Sequence, residues 1–179
     1  MLILASQSPR RKEILESKLG KDSFLIIPSD IDEDIDLPPY LLPMELAYLK
    51  AKKIFDEHLD ATVIGSDTIV VVDDEILGKP KDEEDAFKML KELSGRSHKV
   101  ISGYCVISKE RVIKGTVTTI VNFNELSDDL IRAYIKTGSP MDKAGSYGIQ
   151  DTEFNLVRSI EGDYNNVVGL PIDAIMASL

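Results

Sequence analysis

The sequence predicts a mixed α/β fold, and two patterns support this assignment. Short aliphatic or β-branched runs alternate with segments whose apolar residues recur every three or four positions, as in strands alternating with helices. Two long strand-like runs, at residues 98–108 and 111–123, flank a Lys-Glu turn and indicate a β-hairpin. Helical crossovers favour parallel strands whereas a hairpin is antiparallel, so the sheet should contain both orientations.

The composition is that of an ordinary globular protein. The chain has 179 residues, of which 43% are hydrophobic and 29% charged, and we assign residues 1–179 to a single domain. No apolar run is long enough to cross a membrane, no secretion signal is evident, and the single Cys105 suits the reducing cytoplasm. The net charge of −10 argues against nucleic-acid polymers and anionic membranes as partners, but a local basic cluster could still bind a small polyanion.

The first strand and helix form the most informative segment. An apolar run at residues 2–5 leads to Ser8 and Pro9, which are favoured at the N-cap and at the first position of a helix. Arg10 and Arg11 follow in the first turn, where positive charge opposes the helix dipole unless an anion compensates. Helix N-termini and paired arginines both bind phosphate groups. The segment therefore predicts a polyphosphate site, with an exposed helix start as the alternative.

The next elements are a strand, an acidic loop and a helix. Residues 24–27 form a short predicted strand, and residues 29–43 form an acidic loop that contains prolines. A helix is predicted from Pro43 to about His58. Its apolar face carries Ala47, Ala51, Ile54 and Phe55, and its flanking faces carry Lys50, Lys52 and Lys53.

Residues 62–72 predict a central strand interrupted by a charge. Asp67 stands among β-branched residues, where a carboxylate is costly unless it is paired or binds a metal. Gly65 would allow a ligand or a backbone segment to approach closely. We interpret Asp67 as functional, because perturbed carboxylates concentrate at active sites; an edge-strand ion pair is the alternative.

Several further features complete the chain. Lys79 lies between Gly78 and Pro80, where a lysine could contact a phosphate or could be an ordinary turn residue. The residue spacing of a P-loop is absent from the sequence. Asp82 is predicted to cap a helix that ends at Gly95, and Ser127 a helix that ends at Thr137. A loop spans residues 139–153, short strands are predicted on both sides of residues 161–163, and Pro171 starts a last helix.

Candidate metal ligands are carboxylates rather than histidines. Glu33 in the acidic loop could join Asp67 in holding a hard cation such as Mg²⁺, although such acidic runs are usually only solvated. His58 and His98 lack partners at zinc-ligand spacing. Cys105 lies in an apolar run and is interpreted as a core residue.

Five sequence blocks together resemble the Maf family of nucleoside triphosphate pyrophosphatases. They are Leu4-Ala-Ser-Gln-Ser-Pro-Arg-Arg11, Ser66-Asp-Thr-Ile-Val70 with Ile76-Leu-Gly-Lys-Pro80, Leu93-Ser-Gly-Arg-Ser-His98, Asp142-Lys-Ala-Gly-Ser-Tyr-Gly-Ile-Gln150 and Asn166-Val-Val-Gly-Leu-Pro171. The resemblance implies an elongated α/β Maf/ITPase-like fold with a mixed β-sheet and two lobes around a central cleft. It also implies a cytoplasmic hydrolase that cuts nucleoside triphosphates between the α and β phosphates, needs Mg²⁺ or Mn²⁺, and forms a homodimer.

The same resemblance implies roles for individual residues. Asp67 would be the proton acceptor, Glu33 the other catalytic carboxylate and metal ligand with Asp67, and Lys79 a catalytic lysine; Asp32 or Asp34 could replace Glu33 after a one-residue shift. Phosphate contacts would come from Ser8, Arg10, Arg11 and Lys50. The residues Arg10, Thr68 and Gln150 resemble the branch that acts on dTTP and UTP. The alternatives are a purine-directed enzyme acting on 7-methyl-GTP or ITP, and a nucleotide-binding regulator of septum formation.

Overall fold

The computed structural model describes residues 1–179 and contains one mixed sheet of seven strands together with six α-helices. The strands are β1 (Leu2–Leu4), β2 (Leu25–Ile26), β3 (Thr62–Val72), β4 (Glu75–Leu77), β5 (Ser97–Ile107), β6 (Val112–Phe123) and β7 (Val157–Glu161). The helices are α1 (Pro9–Leu19), α2 (Leu42–Glu57), α3 (Glu83–Leu93), α4 (Asp128–Lys136), α5 (Tyr164–Val168) and α6 (Ile172–Ser178). Short 3-10 helices cover Ser139–Asp142, Ala144–Ser146 and Thr152–Phe154.

The order of the strands confirms the mixed sheet. Their order is β2-β1-β3-β5-β6-β7, and β4 pairs with part of β3. Strand β1 is parallel to β2 and β3, whereas β4 runs antiparallel to β3 and β7 antiparallel to β6. The predicted hairpin joins β5 to β6 through a turn in which the Ser108 N–H donates to the Arg111 carbonyl. Strand β3 is an interior strand, as its β-branched sequence predicts.

The chain divides into two compact units. Unit 1 comprises Met1–Thr68, Ile101–Val117 and Gly169–Leu179, and unit 2 comprises Ile69–Val100 and Thr118–Val168. Strands β3, β5 and β6 contribute residues to both units. None of the helices is both long and apolar enough to cross a membrane.

The three predicted N-caps are confirmed, and two boundaries near turns are corrected. Ser8, Asp82 and Ser127 each accept a hydrogen bond from the backbone N–H three residues later. Ser94, not Gly95, is the C-cap of α3. The segment after residues 161–163 is helix α5 rather than a strand, because the Asp163 side chain accepts from the Asn165 N–H and its carbonyl from the Val167 N–H.

In unit 1, helix α2 packs against β3 without space for a side chain between them. A Cβ at Gly65 would lie 2.1 Å from the Ala47 carbonyl oxygen and 2.9 Å from the Ala51 nitrogen. Ala47 and Ala51 belong to a core cluster that also includes Cys105, whose thiol pKa burial raises to about 12. The sequence left open whether Gly65 makes room for a ligand or for a backbone segment. The structure shows that it makes room for the backbone of α2.

We expect Gly65→Ala to destabilise the protein by about 3 kcal/mol, at the upper end for overpacked cores, because the obstructing atoms are backbone. Gly78→Ala is the control, since a Cβ there meets nothing within 4 Å. Urea denaturation measures both free energies of unfolding. Equal stability of the two variants would contradict the close packing of α2 on β3.

In unit 2, a buried histidine lies in an aromatic cluster within the larger core. His98 is 3% exposed, and its Nε2 lies 2.6 Å from the Tyr147 hydroxyl. The Phe123 and Tyr147 rings meet edge to face at 4.7 Å, and both contact the imidazole in the same manner. Nδ1 of His98 has no hydrogen-bond partner. Burial lowers the pKa of His98 from 6.5 to about 4, so the ring is neutral at physiological pH.

This shift predicts a specific pH dependence of stability. Between pH 6.5 and about 4 the unfolded chain binds a proton at His98 and the folded chain does not, so unfolding becomes easier as the pH falls through this window. The loss approaches about 3 kcal/mol at the acid end. We expect the His98→Gln variant to lose this dependence of the free energy of unfolding on pH, whereas the His58→Gln variant keeps it. An unchanged slope in His98→Gln, measured by urea denaturation at a series of pH values, would refute the assignment.

Candidate active site

Asp67 lies on β3 and is 8% exposed. Its Oδ1 accepts a hydrogen bond of 2.8 Å from Nζ of Lys50 on α2. The ion pair compensates for the cost of placing a carboxylate inside an interior strand. Asp67 is thus paired, as the alternative interpretation required, but on a central strand and not at a sheet edge.

Lys50 corrects the sequence-based picture of helix α2. The spacing placed it with Lys52 and Lys53 on a flanking face, but the residue is only 8% exposed and lies among the buried positions of the helix. The prediction was wrong because periodicity counts lysine as polar, whereas its long stem can lie along the apolar face and deliver the ammonium to a buried carboxylate. Lys52 instead pairs with Asp56 on the helix surface.

The Lys50 ammonium also binds the acidic loop. Glu33 Oε1 lies 2.8 Å from Nζ, so the lysine bridges the two carboxylates that the resemblance singles out. Of the alternatives to Glu33, Asp32 accepts a hydrogen bond from the Asp34 N–H within the loop. The Glu33 side chain is 56% exposed, compared with 12% for Asp67, so one carboxylate is accessible and the other is held in the protein. We call Glu33, Lys50 and Asp67 the carboxylate–lysine cluster.

The start of α1 supplies a guanidinium next to this cluster. Arg11 donates from Nε to the Gly169 carbonyl at 2.7 Å and from Nη2 to the Thr68 hydroxyl at 3.3 Å. Burial lowers the pKa of Arg11, while the negative charges of Asp67 and, to a lesser extent, Glu33 oppose the shift. The neighbouring Arg10 adds to the lowering, so two like charges are held close together where an anion would stabilise both.

Thr68 belongs to a hydroxyl network that the sequence did not reveal. Its Oγ1 lies 2.7 Å from Ser102 Oγ on β5 and 3.2 Å from the Gly169 carbonyl. Ser66 donates to the Gly103 carbonyl at 2.9 Å on the same strand pair. Isolated serines in a strand give no signal of this kind; only the pairing of β3 with β5 places the hydroxyls together.

The remaining predicted residues have different settings. Ser8 is partly buried and accepts from the Arg11 N–H at 3.3 Å, so its hydroxyl caps α1. Lys79 and Gln150 belong to unit 2, and both are exposed. Lys79 follows β4, and Gln150 lies in the loop between two 3-10 helices. The structure thus brings together Glu33, Lys50, Asp67, Arg11 and Thr68 within unit 1.

The carboxylate–lysine cluster suits a hard divalent cation that is bound together with a ligand. Glu33 and Asp67 offer oxygen donors that already converge on one positive charge, the Lys50 ammonium. No group of three or more His, Cys, Asp or Glu residues is placed to hold a metal. Mg²⁺ is commonly bound by one or two carboxylates with waters and substrate phosphates as the other ligands. The donor set fits that pattern and does not fit a dedicated protein cage.

Comparison with known proteins agrees with the observed fold and identifies the family. The chain matches the family of Maf-like proteins over residues 1–179. It is 51% identical to the dTTP/UTP pyrophosphatase of Thermococcus gammatolerans, covering 98% of this chain and 93% of the relative. The dTTP/UTP pyrophosphatase of Pyrococcus furiosus is 49% identical, covering 98% of this chain and 92% of the relative. The HAM1 protein of Coxiella burnetii shares the fold, with a TM-score of 0.52 at 13% identity over 99% and 98% of the two chains.

These matches identify the class and then the family. The fold class is the α/β fold that the HAM1 protein also has. The chain belongs to the Maf family, as the resemblance predicted.

Proposed function

We propose that this protein hydrolyses dTTP and UTP to the nucleoside monophosphate and pyrophosphate. The observation that carries the proposal is the carboxylate–lysine cluster, in which the buried Asp67 carboxylate lies near the charged guanidinium of Arg11 in unit 1. Relatives about half identical over nearly the whole chain bear the name dTTP/UTP pyrophosphatase. The residues Arg10, Thr68 and Gln150 support the pyrimidine branch through the resemblance.

In the proposed reaction, water attacks the α phosphorus and pyrophosphate leaves. Asp67 holds the attacking water by hydrogen bonding and accepts its proton, a role typically worth about 10²–10⁴-fold in rate. Lys50 orients the Asp67 carboxylate through their ion pair of 2.8 Å. Because Asp67 lies on an interior strand, the sheet holds its backbone in place.

Positive charge stabilises the phosphates and the leaving group. The guanidinium of Arg11 is anchored by the Gly169 carbonyl, so its orientation is set before substrate binds. Arg10 contributes a second guanidinium from the same helix turn. Lys79 and Gln150 are proposed as substrate contacts on the resemblance alone.

Glu33 and Asp67 are the proposed ligands of a divalent cation, Mg²⁺ or Mn²⁺. Such an ion would supply charge neutralisation at the phosphates and polarise the bond to be broken. The substrate phosphates would provide its other ligands, since the protein offers only this pair of carboxylates at the cluster.

We expect Glu33→Gln to raise the Mg²⁺ concentration for half-maximal activity at least about tenfold, because loss of even an outer partner of a metal typically costs 10–100-fold in affinity. Asp34→Asn is the matched control, since this exposed carboxylate is the next acid in the loop. Titration of Mg²⁺ at saturating dTTP measures the effect. A shift in Asp34→Asn but not in Glu33→Gln would reassign the second carboxylate.

We also propose a cytoplasmic homodimer, on the support of the family resemblance. Light scattering coupled to gel filtration would test the oligomeric state. A monomer at micromolar concentration would contradict it.

The function itself is tested with a substrate panel. Purified protein is incubated with Mg²⁺ or Mn²⁺ and dTTP, UTP, CTP, ITP, GTP or 7-methyl-GTP, and pyrophosphate and monophosphate are quantified separately. We expect preferred cleavage of dTTP and UTP to pyrophosphate. Preference for ITP or 7-methyl-GTP would assign the purine-directed activity, and tight binding without turnover would favour a regulatory role.

A further inference from the structure

The Arg11 guanidinium in unit 1 is held by two neutral groups. Its Nε donates to the Gly169 carbonyl at 2.7 Å, and its Nη2 donates to the Thr68 hydroxyl at 3.3 Å. The same carbonyl accepts a bond of 3.2 Å from Thr68 Oγ1. Arg11, Thr68 and Gly169 therefore form a closed triangle of hydrogen bonds, and Nη1 of the guanidinium lies outside it.

Neutral anchors of this kind keep the charge of Arg11 available for an anion. Burial lowers the pKa of Arg11, and the nearby charges of Asp67 and Glu33 oppose that shift. Both carboxylates nevertheless pair with Lys50, at 2.8 Å in each case. A guanidinium anchored by a carbonyl and a hydroxyl can still form charge-assisted hydrogen bonds to phosphate.

The number of hydroxyl hydrogens fixes the direction of each bond around Thr68. A guanidinium only donates and a carbonyl only accepts, whereas a hydroxyl has one hydrogen and two lone pairs. Thr68 therefore donates its hydrogen to Gly169 and accepts from Arg11. The remaining bond, of 2.7 Å between Thr68 Oγ1 and Ser102 Oγ, must then be donated by Ser102.

Ser102 connects this triangle to the sheet. The residue is 0% exposed and belongs to β5, the neighbour of β3 in the sheet. Because it is fully buried, it can influence a ligand only through the groups that it contacts. Its bond completes the hydrogen-bonding capacity of the Thr68 hydroxyl, so the orientation of this hydroxyl is fixed by an interior strand.

We infer that Ser102 is a positioning residue for the phosphate chain of the substrate. It orients the Thr68 hydroxyl, and this hydroxyl in turn holds the Arg11 guanidinium where it binds phosphate. The inference rests on the proposed function. Holding Arg11 before the substrate arrives lowers the entropy that is lost on binding. Because the effect acts on phosphate, it should not depend on the base of the nucleotide.

The first test is Ser102→Ala, with inorganic tripolyphosphate as a probe that has no base. We expect the Kd for tripolyphosphate, measured by calorimetry in the presence of Mg²⁺, to rise about five- to tenfold, as for loss of one hydrogen bond. kcat/KM for dTTP and for UTP should fall by at least the same factor. Ser108→Ala is the matched control, because this serine of unit 1 donates only to Glu110 on the surface and should leave both quantities unchanged.

A second variant tests the hydroxyl that joins Ser102 to Arg11. Thr68→Val keeps the shape of the side chain and removes the acceptor of the Arg11 bond, so we expect it to weaken tripolyphosphate binding at least as much as Ser102→Ala. Thermal denaturation checks that each variant is folded at the temperature of the binding measurement. Unchanged affinity in Thr68→Val would overturn the inference.

Two double-mutant cycles separate positioning from general structural damage. If Ser102 acts through Thr68 and Arg11, then Ser102→Ala causes no further loss of tripolyphosphate affinity in a Thr68→Val or an Arg11→Lys background. Arg11→Lys keeps the positive charge but lacks the guanidinium that bonds to both partners. Additive losses in either cycle would overturn the inference.

The binding measurements do not depend on turnover, so the inference and the proposed function can fail separately. Unchanged tripolyphosphate affinity in Ser102→Ala, in a protein that cleaves dTTP and UTP, would overturn the inference alone. The expected losses of affinity, in a protein that cleaves no nucleotide, would overturn the proposed function and leave Ser102 as a positioning residue of a phosphate-binding site.

Discussion

Asp67→Asn is expected to reduce kcat for dTTP and UTP by at least about 10²-fold, the lower range for loss of a general base. The amide keeps the size of the side chain and can still accept the 2.8 Å hydrogen bond from Lys50. Lys50 also keeps its ion pair to Glu33, so no buried charge is left alone. We therefore expect the variant to fold with nearly wild-type stability.

Initial rates of pyrophosphate release measure the effect, and thermal denaturation checks the fold. Asp60→Asn is the control, because the Asp60 side chain in the same unit is 97% exposed. If Asp67→Asn retains more than about a tenth of the wild-type rate, Asp67 is not the base, because a general base typically contributes about 10²–10⁴-fold to the rate.

Lys50→Met is expected to affect stability as well as activity. Removal of the ammonium leaves Asp67, whose side chain is only 12% exposed, without its ion-pair partner. Breaking a buried pair in this way typically costs about 3–5 kcal/mol. Catalysis should fall with it, because the carboxylate loses the group that orients it. Lys52→Met, on the surface of the same helix, should have little effect on either property.

The combination of Lys50→Met with Asp67→Asn distinguishes the ion pair from simple packing. If the loss in Lys50→Met arises from the uncompensated carboxylate, neutralising Asp67 should restore most of the free energy of unfolding. Activity should remain absent. Additive destabilisation would show that the lysine stem, and not the ion pair, accounts for the loss of stability.

Much of the fold could be predicted because its signals are local. The caps at Ser8 and Ser127 depend on side chains that bond to backbone three residues away, and eight of the eleven residues 62–72 are β-branched. Asp67 was conspicuous because a charge interrupts that run. These features need no knowledge of long-range packing.

The rest depends on contacts between distant segments. The sequence pattern places Lys50 on the flank of helix α2. Its burial instead results from the ion pair with Asp67, which lies seventeen positions further along the chain. The strand expected after residues 161–163 is helix α5, because contacts of Asp163 with the following backbone decide its conformation. Neither the Thr68 hydroxyl network nor the bond from Tyr134 to Asp151 has any local sequence signal.

The most direct test of the proposed mechanism is hydrolysis of dTTP in water enriched in ¹⁸O, followed by mass measurement of both products. Attack of an Asp67-held water on the α phosphorus predicts one labelled oxygen in dTMP and unlabelled pyrophosphate. Label in the pyrophosphate would place the attack at the β phosphorus, and release of orthophosphate would show cleavage of a different bond. Either of these results would contradict the account.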